Sequence, residues 1–203
     1  MSTKNIVELV RPMLEGQISI KQLWDEYGTE IRAVEKGSSY DEVMSLTCAY
    51  HRYGIFLAEK GYFKDSLIYF DDALTILTKG NNFVLREQFD EFQESILNYK
   101  ANVLAKLERY NEALACLKEL KVLCPAKDEY RLHYDNCYQA MINKKVYPCY
   151  VIVAVVWAIC LIDGMLLDTD YIPGWVSDIG WYVWIILIVM QFVLPWVKRK
   201  LDK

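Results

Sequence analysis

The chain has 203 residues, enough for one or two domains, and a formal net charge of −4. That mild acidity, with no stripe of Lys and Arg, argues against nucleic acid as the main partner, because such binding needs a basic face to neutralise phosphates. The hydrophobic content of 54% is unevenly spread: residues 1–145 carry 19 Lys/Arg and 22 Asp/Glu, whereas the remaining 58 carry four bases and five acids.

The opening stretch, MSTKNIVELVRPMLEG, is charged throughout and lacks a signal-peptide apolar core, so no secretory leader is expected. Ile6, Val7, Val10 and Met13 follow helical spacing, and Gly16 ends that segment. Ser19 with Gln22 forms a capping box before a second helix, which Gly37 is expected to end. Ser39 with Glu42 forms another box, and the helix it starts runs to Gly61. A helix over residues 65–79 follows, closed by Gly80. A longer helical pattern covers 83–107. Asn111 is expected to cap the next helix, which Pro125 ends, and Asp128 to cap a last polar helix reaching Lys145. No alternating strand pattern with hairpin turns appears, so the fold is expected to be all-α.

The final third reads as a membrane hairpin. Residues 146–162 and 179–197 contain no charge, and the first run continues past Asp163 to Leu167. Each approaches the roughly 20 apolar residues that a spanning helix needs. Lys144 and Lys145 precede the first run, and Lys198, Arg199 and Lys200 follow the second. The loop 168–178 has three acids and no base. By the positive-inside rule both termini face the cytoplasm and the loop faces outward. Tyr147, Tyr150 and Trp196 would form an inner aromatic belt, and Tyr171, Trp175 and Trp181 an outer one. Asp163 lies about a turn from the outer interface, where a short carboxylate reaches water; the alternative is an acid lining a pore or proton path. Gln191 is placed to hydrogen-bond between helices. The expected division is therefore N-terminal helices over 1–46, a helical-pair region over 47–145, spans over 146–167 and 179–197 joined by the outer loop, and a basic cytosolic tail over 198–203.

Within the polar region the same pattern occurs twice. Gly54 and Ala101, Leu57 and Leu104, Phe63 and Tyr110, Ser66 and Ala113, Phe70 and Leu117, and Ala73 and Leu120 are all 47 residues apart. Small residues let antiparallel helices approach, and bulky ones fill the groove between pairs. The pattern resembles the tetratricopeptide repeat over residues 47–80 and 94–127. Tyr50, Tyr53, Gly54, Leu57, Gly61, Phe63, Phe70 and Ala73 fit in the first unit, with Ser66 for the usual Ala. Ala101, Leu104, Tyr110, Ala113 and Pro125 fit in the second. Glu108 stands where the family has a turn glycine, Leu120 where it has a small residue, and 13 extra residues, 81–93, separate the units. Residues 1–46 would then be a degenerate unit, and 128–145 a capping helix.

The resemblance implies a TPR-like array whose first helices hold a protein or peptide. That concave face would include Cys48, His51, Arg52, Ile55 and Glu59, then Ser95, Asn98, Asn102 and Lys106. His51, Arg52, Asn98, Asn102 and Lys106 would suit a carboxylate or acidic peptide. A solvated polar face without such a ligand is the other reading. The implied class is a membrane-anchored adaptor or scaffold, with possible homo-oligomers through the hairpin. The alternative is an oligomerising membrane effector, a channel or bilayer-disrupting hairpin controlled by the array. Inward-facing termini fit a bacterial inner membrane, and an organelle membrane is also allowed.

Phosphate-loop, dinucleotide, zinc-protease and nucleophile-elbow motifs are missing, so no enzyme activity and no cofactor are expected. His133 and Cys137 are four residues apart, which suits packing better than a catalytic pair lacking an orienting third group. The six cysteines, Cys48, Cys116, Cys124, Cys137, Cys149 and Cys160, form no C-x-x-C and no metal-ligand spacing. Reduced thiols are expected, with no metal site.

Overall fold

The computed structural model describes residues 5–34, 39–80 and 82–162, together with Tyr182 and Ile185. Among the described residues there are seven α-helices and no strand: α1 (Ile6–Leu14), α2 (Ile20–Ala33), α3 (Tyr40–Glu59), α4 (Phe63–Lys79), α5 (Arg86–Lys106), α6 (Tyr110–Leu123) and α7 (Asp128–Ile162). The described part of the chain is all-α, as the spacing of its apolar residues indicates. It divides into two compact units, Met1–Arg131 and Leu132–Lys203.

The expected start signals operate at α2 and α3. Ser19 Oγ accepts from Gln22 N–H at 3.2 Å while Gln22 Oε1 accepts from Ser19 N–H at 2.9 Å, which satisfies two otherwise orphaned donors. Ser39 Oγ accepts from Glu42 N–H at 3.4 Å. Other boundaries differ. α4 begins at Phe63 rather than residue 65, and α6 begins at Tyr110 with Asn111 inside it. Asn111 does not cap because the preceding turn already sets the helix: Arg109 occupies the cap position, and its guanidinium pairs with Glu112 at 2.6 Å. Asp128 is the first residue of α7. Gly37 lies outside the described residues; α2 ends at Ala33.

In the first unit α3 pairs with α4 and α5 with α6, and α4 also packs on α5, so the two hairpins lie side by side. α1 and α2 cover the other side of α3. The small and bulky positions meet as their sizes demand. A Cβ built on Gly54 would lie 2.8 Å from Phe70 Cε1, and Phe70 is fully buried. Ala101 and Leu117, the equivalents in the second hairpin, are buried as well. Ser66, standing for an alanine, is buried and donates its hydroxyl hydrogen to Phe63 O at 2.8 Å, which satisfies a polar group that would otherwise be costly.

The two hairpin turns repeat bond for bond. Gly61 N–H donates to Ala58 O at 3.1 Å and Tyr62 N–H to Leu57 O at 2.9 Å. Forty-seven residues later Glu108 N–H donates to Ala105 O at 3.0 Å and Arg109 N–H to Leu104 O at 2.9 Å. The next residues, Tyr62 and Arg109, adopt φ/ψ of −80/60° and −82/57°. Gly61 has φ +84° and Glu108 φ +59°, so the glutamate takes the left-handed conformation that glycine provides without strain.

The 13 extra residues are not an inserted loop. Residues 86–93 are eight helical residues at the start of α5, and α3 likewise begins at Tyr40, seven residues ahead of residue 47, where the repeated pattern was expected to start. The first helices have 20 and 21 residues and end in register, at Glu59 and Lys106. Gly80 also departs from expectation. Its φ of −91° needs no glycine, but an added Cβ would lie 2.5 Å from both methyl groups of buried Val43. It is small so that α3 can approach, not so that the chain can turn.

In the second unit α7 continues without a break past Lys145, where a polar helix was expected to stop, through Pro148 to Ile162. A single proline removes one helical hydrogen bond and leaves the helix able to continue past it. Ile142 and Val146 are buried with Tyr138 and Tyr150 packed on them. Among the described residues no helix is long and apolar enough to cross a membrane. Residues 163–167, the loop 168–178, the second expected span apart from Tyr182 and Ile185, and the tail 198–203 lie outside the described residues, and with them Asp163 and Gln191.

Candidate partner-binding groove

Arg52, Ile55, Phe56 and Glu59 recur at helical spacing on α3, which places them along one face. The chain that leaves α1 crosses that face. Gly16 takes φ +74°, Gln17 and Ile18 N–H both donate to Pro12 O (2.8 and 3.3 Å), and Ser19 then restarts the chain as α2. Met13, Ile18 and Ile20 are thereby set opposite the α3 residues. Together the seven line an open groove of about 300 Å³. Its floor is apolar, and Arg52 and Glu59 stand exposed on it. Arg52 Nη1 lies 3.2 Å from Met13 Sδ, so the guanidinium rests against the groove wall. Neither residue forms an ion pair among the described residues.

Three of the residues expected on a partner face, Arg52, Ile55 and Glu59, are thus brought together. His51 is not on that face. It is 8% exposed and packs against Phe70 (ring centroids 6.0 Å) and Tyr99 (5.6 Å), and Nε2 has no hydrogen-bond partner among the described residues. A polar-face assignment fails for it because α3 is covered on more than one side, so a residue one step from Arg52 turns into the α4–α5 contact. Burial, with the nearby Arg52 charge, pushes its pKa down to about 4, so the imidazole is neutral. Cys48 and Ser95 are half-buried. Asn98 and Asn102 on α5 contact one another (Nδ2 to Oδ1, 3.5 Å), and Lys106 lies over the Phe63 ring at 5.2 Å. None of these α5 residues lines the groove.

Two clusters escaped the sequence reading. Trp24 of α2 stacks on Tyr53 (4.6 Å, 22°), meets Tyr50 and Tyr69 edge-on, and donates Nε1–H to Ala49 O at 3.3 Å, which anchors α2 on the first hairpin. Gly28 lies close beneath the same indole. At the other end of the unit Glu94 of α5 accepts from Cys124 Sγ at 3.0 Å, from Lys127 Nζ and from the Tyr130 hydroxyl. Burial opposes the Glu94 charge, but those three donors outweigh it and hold its pKa down to about 2. Burial and the same carboxylate push Cys124 up to about 11 and raise Tyr130, so this thiol is protonated and unreactive. Among the described residues all cysteines are free: Cys116 and Cys137 are buried, Cys48 and Cys124 half-buried, and Cys149 exposed. No group of His, Cys, Asp and Glu among them is arranged to hold a metal ion.

Compared with protein-family models, curated proteins and solved structures, the chain matches none.

Proposed function

We propose that the protein is a membrane-anchored adaptor: a TPR-like helical array on the cytoplasmic side recruits a protein partner, and a C-terminal two-helix hairpin fixes it at the bilayer. The observation that carries this reading is the joining of two unlike surfaces in one chain. The array supplies a groove with an apolar floor and two charges, Arg52 and Glu59, that form no ion pair among the described residues. The second half of α7 supplies apolar side chains that no protein covers. Tyr147 is 68% exposed, Ile152 64%, Val155 53% and Val151 44%. Residues 147, 148, 149, 151, 152, 154 and 155 are exposed over more than half of the helix circumference, the remaining side being the buried Ile142–Val146 face. An apolar helix surface of that width suits lipid rather than water.

The array reading is supported by the two side-by-side hairpins, by identical turn hydrogen bonding 47 residues apart, and by small-against-bulky packing at the positions the family uses. The test is fractionation of the full chain followed by affinity capture in mild detergent. The protein should stay with membranes through alkaline carbonate extraction and should retain a stoichiometric protein partner. Release by carbonate would remove the anchor. Capture of nothing above a control, from cells in which the protein is active, would remove the adaptor role.

A further inference from the structure

The groove between α3 and the α1–α2 turn has a chemistry that narrows what it can hold. Arg52 and Glu59 are seven residues apart on one helix, which separates their backbones by about 10 Å along its axis. Ile55 and Phe56 lie between them, and Met13, Ile18 and Ile20 close the opposite wall. Glu59 forms no hydrogen bond or ion pair among the described residues, and the hydrogen bond of Arg52 goes to the Met13 sulfur rather than to a carboxylate. The groove is therefore apolar in the middle, with a spare positive charge at one end and a spare negative charge at the other. An anionic phospholipid headgroup is disfavoured, because the carboxylate would repel its phosphate, and a zwitterionic headgroup is too short to reach across the ~10 Å between Arg52 and Glu59.

We propose that this groove binds an extended peptide segment of a partner protein, carrying an acid, an apolar residue and a base at alternate positions. In an extended chain residues i, i+2 and i+4 share one face and span about 13 Å, a length that flexible acidic and basic side chains match to the Arg52–Glu59 separation. The acid meets Arg52, the apolar side chain enters between Met13, Ile20 and Ile55, and the base meets Glu59. This assignment rests on the adaptor reading and adds the chemistry of the segment the adaptor recognises.

The experiment uses full-length protein in mild detergent and four labelled peptides, GDSLSKG, GKSLSKG, GDSSSKG and GDSLSDG, followed by fluorescence anisotropy. Wild type should bind GDSLSKG about three- to tenfold more tightly than GKSLSKG, the scale of replacing an attractive exposed charge pair by a repulsive one. It should bind GDSLSKG about tenfold more tightly than GDSSSKG, the scale of burying one leucine. Arg52→Glu should invert the preference toward GKSLSKG, a result that loss of structure cannot produce. Glu59→Lys supplies the reciprocal case, with a gain for GDSLSDG, and decides the matter if Arg52→Glu loses its helix content. Equal binding of all peptides by wild type, or a preference unchanged in both variants, would overturn the proposal. So would oligomers of wild type that dissociate in Arg52→Glu, which would give the groove to a second copy of the chain. A cellular partner captured equally by wild type and Arg52→Glu overturns the groove and leaves the adaptor standing. Capture of no partner, with no peptide discrimination, brings down both.

Discussion

His51 makes the stability of the array depend on pH in a way that one substitution should remove. The side chain is 8% exposed, sits between Phe70 and Tyr99, and has an unpartnered Nε2. Its pKa falls from 6.5 to about 4 on folding, chiefly through burial. Because the folded pKa is the lower one, the unfolded chain binds the proton first. The stabilisation is therefore complete above pH 6.5 and is lost as pH falls from 6.5 toward 4. A shift of that size corresponds to at most about 3 kcal/mol, and solvent entry on protonation reduces it to roughly 2. Most of that loss is reached by about pH 4.5. Urea unfolding of the full chain in detergent, followed by circular dichroism at pH 7 and pH 4.5, measures the loss in wild type. His51→Leu fills similar space, removes the orphaned nitrogen, and should be as stable as wild type at pH 7 or more so. Its extra loss at pH 4.5 should be smaller than wild type's by about 2 kcal/mol. The same pH dependence in both proteins would refute the argument, and so would an imidazole titrating near 6.5 by NMR.

The repeated turn predicts an asymmetric exchange. Gly61→Ala places a side chain at φ +84° in open space and should cost about 1 kcal/mol, whereas Glu108→Gly relieves a left-handed glutamate and should gain up to about 1 kcal/mol, both read from urea midpoints at constant slope. Gly80→Ala should cost about 1–3 kcal/mol by overpacking Val43, and Val43→Ala in the same chain should recover some of it; additive losses in the double variant would contradict the contact. Glu94→Gln should destabilise at pH 7 by roughly 1–2 kcal/mol after allowance for solvent screening. Because the folded carboxylate titrates near 2, below its ordinary value of 4.5, that difference should shrink as pH falls through this range. A difference that grows in acid would show that Glu94 is not held by its three donors.

Much of the architecture was legible because periodicity and caps are local. Ser19 with Gln22, the apolar spacing of α1 and the stop at Pro125 all act within a few residues. What was missed depends on the third dimension. Asn111 has the right side chain for a cap, but the turn at Glu108 places the helix start two residues earlier. His51 is polar and adjacent to Arg52, and only the approach of Phe70 and Tyr99 shows that it faces inward. Met13, Ile18 and Ile20 come to Arg52 from more than thirty residues away, through the bend at Gly16. No local pattern pairs them. Glu94 has no local signal either; its partners come from the segment Cys124–Tyr130, some thirty residues further along the chain.

The 47-residue period itself has a physical account. First helices of 20 and 21 residues extend about 30 Å, while their partners α4 and α6, with 17 and 14 residues, extend about 25 and 21 Å. Each longer helix is therefore covered in part by elements other than its shorter partner. In the first hairpin that cover is apolar: α1 and α2 lie over α3 with Leu9, Val10, Met13 and Leu23 buried. In the second it is polar: Glu94 gathers Cys124, Lys127 and Tyr130 from the chain that follows α6. The backbone of the two units repeats while the chemistry closing each one does not. Recognition is then expected where the covering helices stop short of complete closure. That place is the α1–α2 bend over Arg52, Ile55 and Glu59, where the groove opens.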